Sequence, residues 1–171
     1  MDRFYRRAGL NLRRLALPVI GSCLLSAPVL ARDSLGVFGQ WGAFRDPQVP
    51  RCYAIAQAEG SASAAGFATV SHWPDRQVRG QVHIRLSRAI AGQDGARLVV
   101  SGERFQLAGQ GRDVFAADRQ MDARIVAAMR SAGSMTVSGR DRQGRLFTDR
   151  YVLAGAATAI DAATVGCARS G

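Results

Sequence analysis

Imidazole-assisted chemistry has only two places to start in this chain, His72 and His83. A serine hydrolase needs a nucleophile on a sharp elbow, a base beside it and a carboxylate to orient the base. There is no Gly-x-Ser-x-Gly, and His83 falls on the polar phase of an alternating stretch, so both histidines read as structural or surface residues. Zinc asks for three or four His, Cys or carboxylate ligands in a recognisable spacing. Two histidines and one cysteine pair do not assemble that set. Gly109-Gln110-Gly111 lacks the strand, helix and lysine that a phosphate-cradling loop requires. The sequence therefore predicts no catalytic residue, no metal site and no cofactor.

Two groups remain. Asp149, in Phe147-Thr148-Asp149-Arg150-Tyr151-Val152-Leu153, shares one strand face with three apolar side chains. A carboxylate there must find an arginine or backbone amides or else stay at the strand edge, and structural glue is favoured over a hydrolytic role. Arg76, Arg79 and Arg85 cluster around Trp73 and give the best anion-binding candidate. The cysteines carry the other chemistry. Cys23 falls in a leader, which leaves Cys52 and Cys167 near the two ends of the remaining chain. In an oxidising compartment two remaining thiols pair. A redox or metal role is the weaker alternative, because there is no Cys-x-x-Cys.

The elements that must position these residues are mostly strands, separated by turns. Residues 37–44, 52–58, 67–73, 81–86, 97–100, 103–107, 134–139 and 146–153 read as strands at a spacing suited to an antiparallel β-sandwich or barrel-like single domain. In Gln81-Val82-His83-Ile84-Arg85-Leu86 the even positions should face the core and the odd ones water. Asp141-Arg142-Gln143-Gly144 predicts a hairpin turn with Gly144 at positive φ. Two short helices are expected, 121–132 with Asp118 near its N-terminus, and 156–164, which carries Cys167 back to the domain. Residues 59–66 read as the nearest thing to a flexible loop.

Five arginines precede an uncharged run from Leu15 to Ala31 that closes on Val29-Leu30-Ala31. That is the pattern of a cleavable secretory signal peptide over 1–31, leaving 32–171 as the working domain. The run is 17 residues with two prolines, short of the roughly 20 that span a bilayer. Arg6-Arg7 fits a twin-arginine signal poorly. Ile20-Gly21-Ser22-Cys23 faintly resembles a lipoprotein processing site, but the apolar stretch runs on past it, which favours ordinary cleavage. Residues 32–171 hold 18 arginines against 12 acids and no lysine. Export argues against nucleic acid as the partner of that charge; the arginines form no run of five or six and read first as coding bias and surface solvation, with attraction to anionic envelope components left open.

In order along the chain, Phe38-Gly39-Gln40-Trp41, Cys52-Tyr53-Ala54, Pro74 through Val78-Arg79 to Val82, Ile125-Val126-Ala127-Ala128-Met129, Ser134-Met135-Thr136-Val137 and Thr148-Asp149-Arg150-Tyr151-Val152-Leu153-Ala154-Gly155 resemble the motifs of the invasion-associated locus B family. These are small exported proteins of Gram-negative bacteria. Cys167 falls where the family's closing cysteine does. Gln40 stands where an aspartate is usual, Gly80-Gln81 where Asn-Glu is common and Phe115 near an expected tryptophan; these departures touch surface recognition, not the fold. The resemblance implies a β-sandwich-like periplasmic or surface domain. Signal, cysteine pair and family pattern together lead to the expectation of a non-enzymatic exported domain whose partner is an envelope or host-surface protein or, given the charge, an anionic glycan. An envelope hydrolase, or an anionic glycan or lipid-surface binding module, is the alternative.

Overall fold

The computed structural model describes residues 32–46, 48–60, 66–92 and 95–168, and its strands and helices belong to one unit. The expected leader over 1–31, with its twin-arginine and Cys23 variants, lies outside the described residues, as does most of the expected loop at 59–66. Nine strands run in chain order: β1 (Asp33–Phe38), β2 (Trp41–Asp46), β3 (Arg51–Gln57), β4 (Phe67–Trp73), β5 (Val78–Ile90), β6 (Ala96–Val100), β7 (Glu103–Phe115), β8 (Ser134–Arg140) and β9 (Leu146–Val152). Helix α1 (Arg119–Ser131) lies between β7 and β8, and α2 (Ala156–Ala168) comes after β9. The strands form one antiparallel sheet in the order β1-β2-β3-β4-β5-β7-β6-β8-β9. The mainly β, antiparallel class with two short helices holds, and of the two architectures expected, the barrel does not close: β1 and β9 are free edges of an open sheet.

Residues 37–44, expected as a single strand, are a hairpin. Phe38 pairs with Trp41 across a two-residue turn at Gly39-Gln40, with Gly39 at φ +57°. Glycine at the first central position is what such a turn demands. The turn is also pinned from outside. The Gln40 amide donates to the Ala154 carbonyl at 3.2 Å, and Trp41 Nε1 donates to the Val152 carbonyl at 2.9 Å. Although the sheet's edges do not pair, it therefore rolls until the β1–β2 turn meets the β9–α2 junction. Phe38-Gly39-Gln40-Trp41 and Val152-Leu153-Ala154-Gly155, which stand at opposite ends of the sequence pattern, are in contact here.

The roll is made by two long strands. The first half of β7 pairs with β6 and its second half with β5, the change falling between Leu107 and Gly111. The Gly109-Gln110-Gly111 fragment is thus where a strand exchanges partners, a common use of glycine within strands. The β5–β7 register slips between Arg85 and Ile90. Side chains satisfy the backbone groups freed there: Asp149 of β9 accepts from the Ser87 amide at 2.8 Å, and Arg112 Nε donates to the Leu86 carbonyl at 2.6 Å. Asp149 is 5% exposed and serves the backbone amide expected of a carboxylate on an apolar face. Asp149→Ala strands that amide and should cost about 2 kcal/mol, with Asp149→Asn costing less because its carbonyl still accepts. Urea unfolding of the two variants checks the ranking.

On the inner face, Val82, Ile84 and Leu86 are all buried, as their phase predicts, and they join Trp41, Val70, Leu98, Leu107 and Tyr151 in one core. α2 packs across β1–β4 and α1 against β5. α1 begins where Asp118 caps it, the carboxylate accepting from the Met121 amide at 2.7 Å. It buries Ile125, Ala128 and Met129 together with Asp122, whose carboxylate takes the Val82 amide at 2.8 Å. Burial pushes the Asp122 carboxyl above its ordinary range; the Val82 hydrogen bond opposes that and the Asp118 charge adds to it. The turn at 141–144 forms with Gly144 at φ +75°. Asp141 is buried within it. Burial would raise its carboxyl, but the Arg145 and Gln143 amides and the Arg145 guanidinium outweigh that and hold it below the usual range. Among the described residues no helix is long and apolar enough to cross a membrane.

Candidate functional site

Cys52 on β3 and His72 on β4 are cross-strand partners, and both are buried on the inner face under α2. From α2, Cys167 reaches down to Cys52, and the two are bridged with Cα atoms 5.6 Å apart. Thr164 stands three residues earlier, on the same side of the helix, so the bridge also seats Thr164 over His72.

His72 is held from two sides. Its Nδ1 accepts from the Gly80 amide at 3.3 Å, and its Nε2 lies 3.2 Å from Thr164 Oγ1, which in turn donates to the Ile160 carbonyl at 2.8 Å. With Nδ1 an acceptor and the threonine proton committed, Nε2 must be the nitrogen that donates, which assigns the neutral Nε2–H tautomer. Burial, with the Arg79 charge beside it, lowers the His72 pKa from its ordinary 6.5. The folded state thus refuses a proton that the unfolded chain binds. The stability this contributes is present above about pH 6.5 and is lost as pH falls through the lowered folded value. His72→Gln should flatten that part of a melting-temperature profile between about pH 5 and 7.5. Imidazole NMR, with two histidines to resolve, should place the His72 midpoint below 6.5.

Between Trp73 and β5 the chain makes a single 3₁₀ turn at Pro74–Arg76, leaves it through Gln77 at φ +52°, and enters β5 with the β4–β5 register shifted after Ser71. Gly80 comes next at φ +73°. This irregularity rotates Arg79 out of the alternation that governs residues 81–86 and toward the helices. Two adjoining clefts result, and they share His72, Arg79 and Thr164. One, of about 420 Å³, runs past Trp73, Pro74, Val78 and Ala168 to the bridge; the other, of about 300 Å³, runs between Val126 and Ala127 of α1 and Ile160 of α2. Their walls are mainly carbon. Arg130 at the rim of the second is engaged with Asp161 at 2.7 Å. Arg79 is exposed, and among the described residues it has no carboxylate or hydrogen-bond partner.

Of the three arginines singled out in the sequence, the structure brings two together. Arg76 stacks on the Trp73 ring at 4.8 Å, with Arg51 also over that ring at 5.1 Å, and Arg79 lies in the groove that Trp73 borders. Arg85 is elsewhere. It points to the outer face, where its guanidinium makes two hydrogen bonds to Asp113, at 3.0 and 3.2 Å.

The outer face also holds an arrangement that the sequence did not disclose. His83 Nε2 meets Asp113 Oδ1 at 2.8 Å while Nδ1 stands 3.5 Å from Thr69 Oγ1, an order of hydroxyl, imidazole and carboxylate. His83 is half-buried instead of facing water, its ring stacked on Phe115 with centroids 4.6 Å apart. Thr69 is buried, and its hydroxyl also lies within 3.3 Å of the His83 carbonyl, a competing acceptor. Thr69 and His83 sit opposite each other on a regular β4–β5 ladder, not on the sharp elbow that exposes a nucleophile. The geometry fixes a ring; it does not activate the threonine.

Among the described residues no three His, Cys, Asp or Glu side chains are grouped so as to hold a metal ion. No family model, curated protein or solved structure matches this chain. The groove's own residues set what it can do: it can enclose an apolar body and place one positive charge beside it. Thr164 was within reach of the sequence, since a helix tied through Cys167 to Cys52 must lay position 164 over the neighbouring strand. The departure of Arg79 from strand phase had no signal beyond Gly80.

Proposed function

We propose that this chain is an exported, non-enzymatic binding domain of the bacterial periplasm or cell surface, a reading supported by its leader-like first residues, its cysteine bridge and its resemblance to the invasion-associated locus B family, and that the Arg79 groove is its recognition site. One observation carries the recognition site: an arginine with no partner among the described residues stands between two clefts whose walls are largely apolar. Binding sites for small molecules have this character, concave and apolar with a few placed polar groups. The Cys52–Cys167 bridge supports the compartment, since such bridges persist where the surroundings are oxidising.

Two measurements test this reading. The full chain produced in a Gram-negative host should be recovered from the periplasm without residues 1–31 and with no free thiol; full-length protein with free thiols in the cytosol overturns export. The processed domain, screened by thermal shift against envelope lipids, acidic glycans and envelope proteins, should be stabilised by at least one class in a manner that Arg79→Gln removes. No stabilisation by any class overturns the binding function.

A further inference from the structure

We infer that the groove takes a single-chain amphiphile with one negative charge, an alkyl carboxylate, its head on Arg79 and its tail in the larger cleft along Trp73, Val78 and Ala168. This deepens the binding-domain reading and rests on it.

The charge of the ligand comes from a count of what the groove leaves uncompensated. Three basic side chains line it. His72 is neutral, because Nδ1 accepts a backbone hydrogen bond and Nε2 faces the Thr164 hydroxyl. Arg130 has both guanidinium nitrogens that face α2 on Asp161, at 2.7 and 3.3 Å. Arg79 alone among them has no anionic partner in the described residues. Among the described residues no acidic side chain lines either cleft. One positive charge without a counter-charge calls for one negative charge, and a planar guanidinium matches a carboxylate through two parallel hydrogen bonds.

The walls dictate the tail. Beyond Arg79 the larger cleft is lined by Trp73, Pro74, Val78, Cys167 and Ala168, with Gln77 its one further polar side chain besides His72 and Thr164. Trp73 is fixed in place: Arg76 stacks on its ring, and its Nε1 donates to Gln81 at 3.1 Å, so its only polar atom is occupied. What it presents to the cleft is carbon. A sugar or a small inorganic anion would leave these walls in water. An uncharged hydrocarbon would leave Arg79 without a partner. A chain carrying a carboxylate at one end satisfies both.

Calorimetric titration of the processed domain at pH 7.5, with probes kept below their micelle concentrations, separates these terms. Sodium decanoate carries head and tail, acetate the head alone and decanol the tail alone. Decanoate should bind at least about 10-fold tighter than either of the others. Octanoate should bind more weakly than decanoate, by about 4-fold for each CH₂ removed. Arg79→Gln should reduce decanoate affinity at least about 10-fold at an unchanged melting temperature. Ala168→Phe, which fills the larger cleft and keeps Arg79, should also abolish binding, and Ala127→Phe in the smaller cleft should leave it. Quenching of Trp73 fluorescence, absent in Trp73→Phe, reports the tail directly.

Equal affinity for decanol and decanoate, or undiminished binding to Arg79→Gln, overturns the inference. So does loss of binding in Ala127→Phe with retention in Ala168→Phe. If decanoate fails while an acidic glycan or an envelope protein stabilises the domain through Arg79, the amphiphile falls and the binding-domain reading stands. If nothing stabilises the processed domain, both fall.

Discussion

Replacing Cys52 and Cys167 together by alanine is expected to cost about 4–5 kcal/mol, the chain-entropy value for opening a loop of more than 100 residues. The bridge spans a sequence separation of 115. Set against the roughly 5–15 kcal/mol that holds a domain of this size together, that is a large share. The loss has a local expression as well. Cys167 lies at the end of α2, and without the bridge the last turn of that helix is held on β3 and β4 by Thr164 and a few small side chains. His72 would then lose the partner of its Nε2, and the groove its bounding wall. Urea unfolding of the wild-type domain with and without reductant, beside the double-alanine variant, measures the cost. A loss below about 1 kcal/mol would show that the bridge contributes little to the fold.

Gly155→Ala should be nearly as damaging for an unrelated reason. Gly155 has φ +88°, and a Cβ there would lie 1.8 Å from the Phe38 carbonyl oxygen. Gly39 faces it with the same problem, its Cβ position 2.4 Å from the Ala154 carbonyl oxygen. Both obstacles are backbone, which cannot swing aside as a side chain can. Left-handed strain of about 1–2 kcal/mol adds to overpacking of about 1–3 kcal/mol, so the variant should lose about 2–5 kcal/mol. Gly60→Ala is the control: it also replaces a glycine at positive φ, but nothing stands within 4 Å of its Cβ position, so it should show the strain without the collision. Thermal or urea unfolding distinguishes them, and equal losses at 60 and 155 would remove the close contact as the cause.

Where strand phase is regular, the sequence was a sufficient guide. Val82, Ile84 and Leu86 turn inward, Asp118 caps its helix, Gly144 takes the turn and Asp149 finds a backbone amide, each for a reason local to a few residues. The failures share a different cause. Residues 37–44 read as one strand because nothing in Val37-Phe38-Gly39-Gln40-Trp41 marks a hairpin strongly; what fixes the turn is Ala154, more than 100 residues later. β7 extends beyond its predicted end because its glycine-containing second half leaves β6 and pairs with β5, a strand that the alternation within β7 does not reveal. The groove was half legible. Trp73, Arg76 and Arg79 were drawn together by proximity, but strict alternation would place Arg79 on one face with Arg85. The shifted register after Ser71 and the positive φ of Gly80 break that alternation, and only the fold shows that Arg79 turns toward the helices while Arg85 goes to Asp113. The motifs behind the family resemblance have a plain physical duty at this level. Trp41 and Gly155 bring the β1–β2 turn against the β9–α2 junction, Asp149 holds the Ser87 amide and Tyr151 is buried in the core, so those motifs serve architecture, and the groove must be argued from its chemistry.

α2 is the last element described, yet it covers β1 to β4, the first four. A chain made or exported from its amino end delivers those strands well before their cover. Cys52 precedes Cys167 by 115 residues, so in an exported chain the pair could be oxidised only late, after the body of the domain has crossed. The hairpin of β1 and β2 must meanwhile wait with its inner face wet. On the export reading proposed above, the domain would depend on holdases and thiol oxidases until its last described helix arrives.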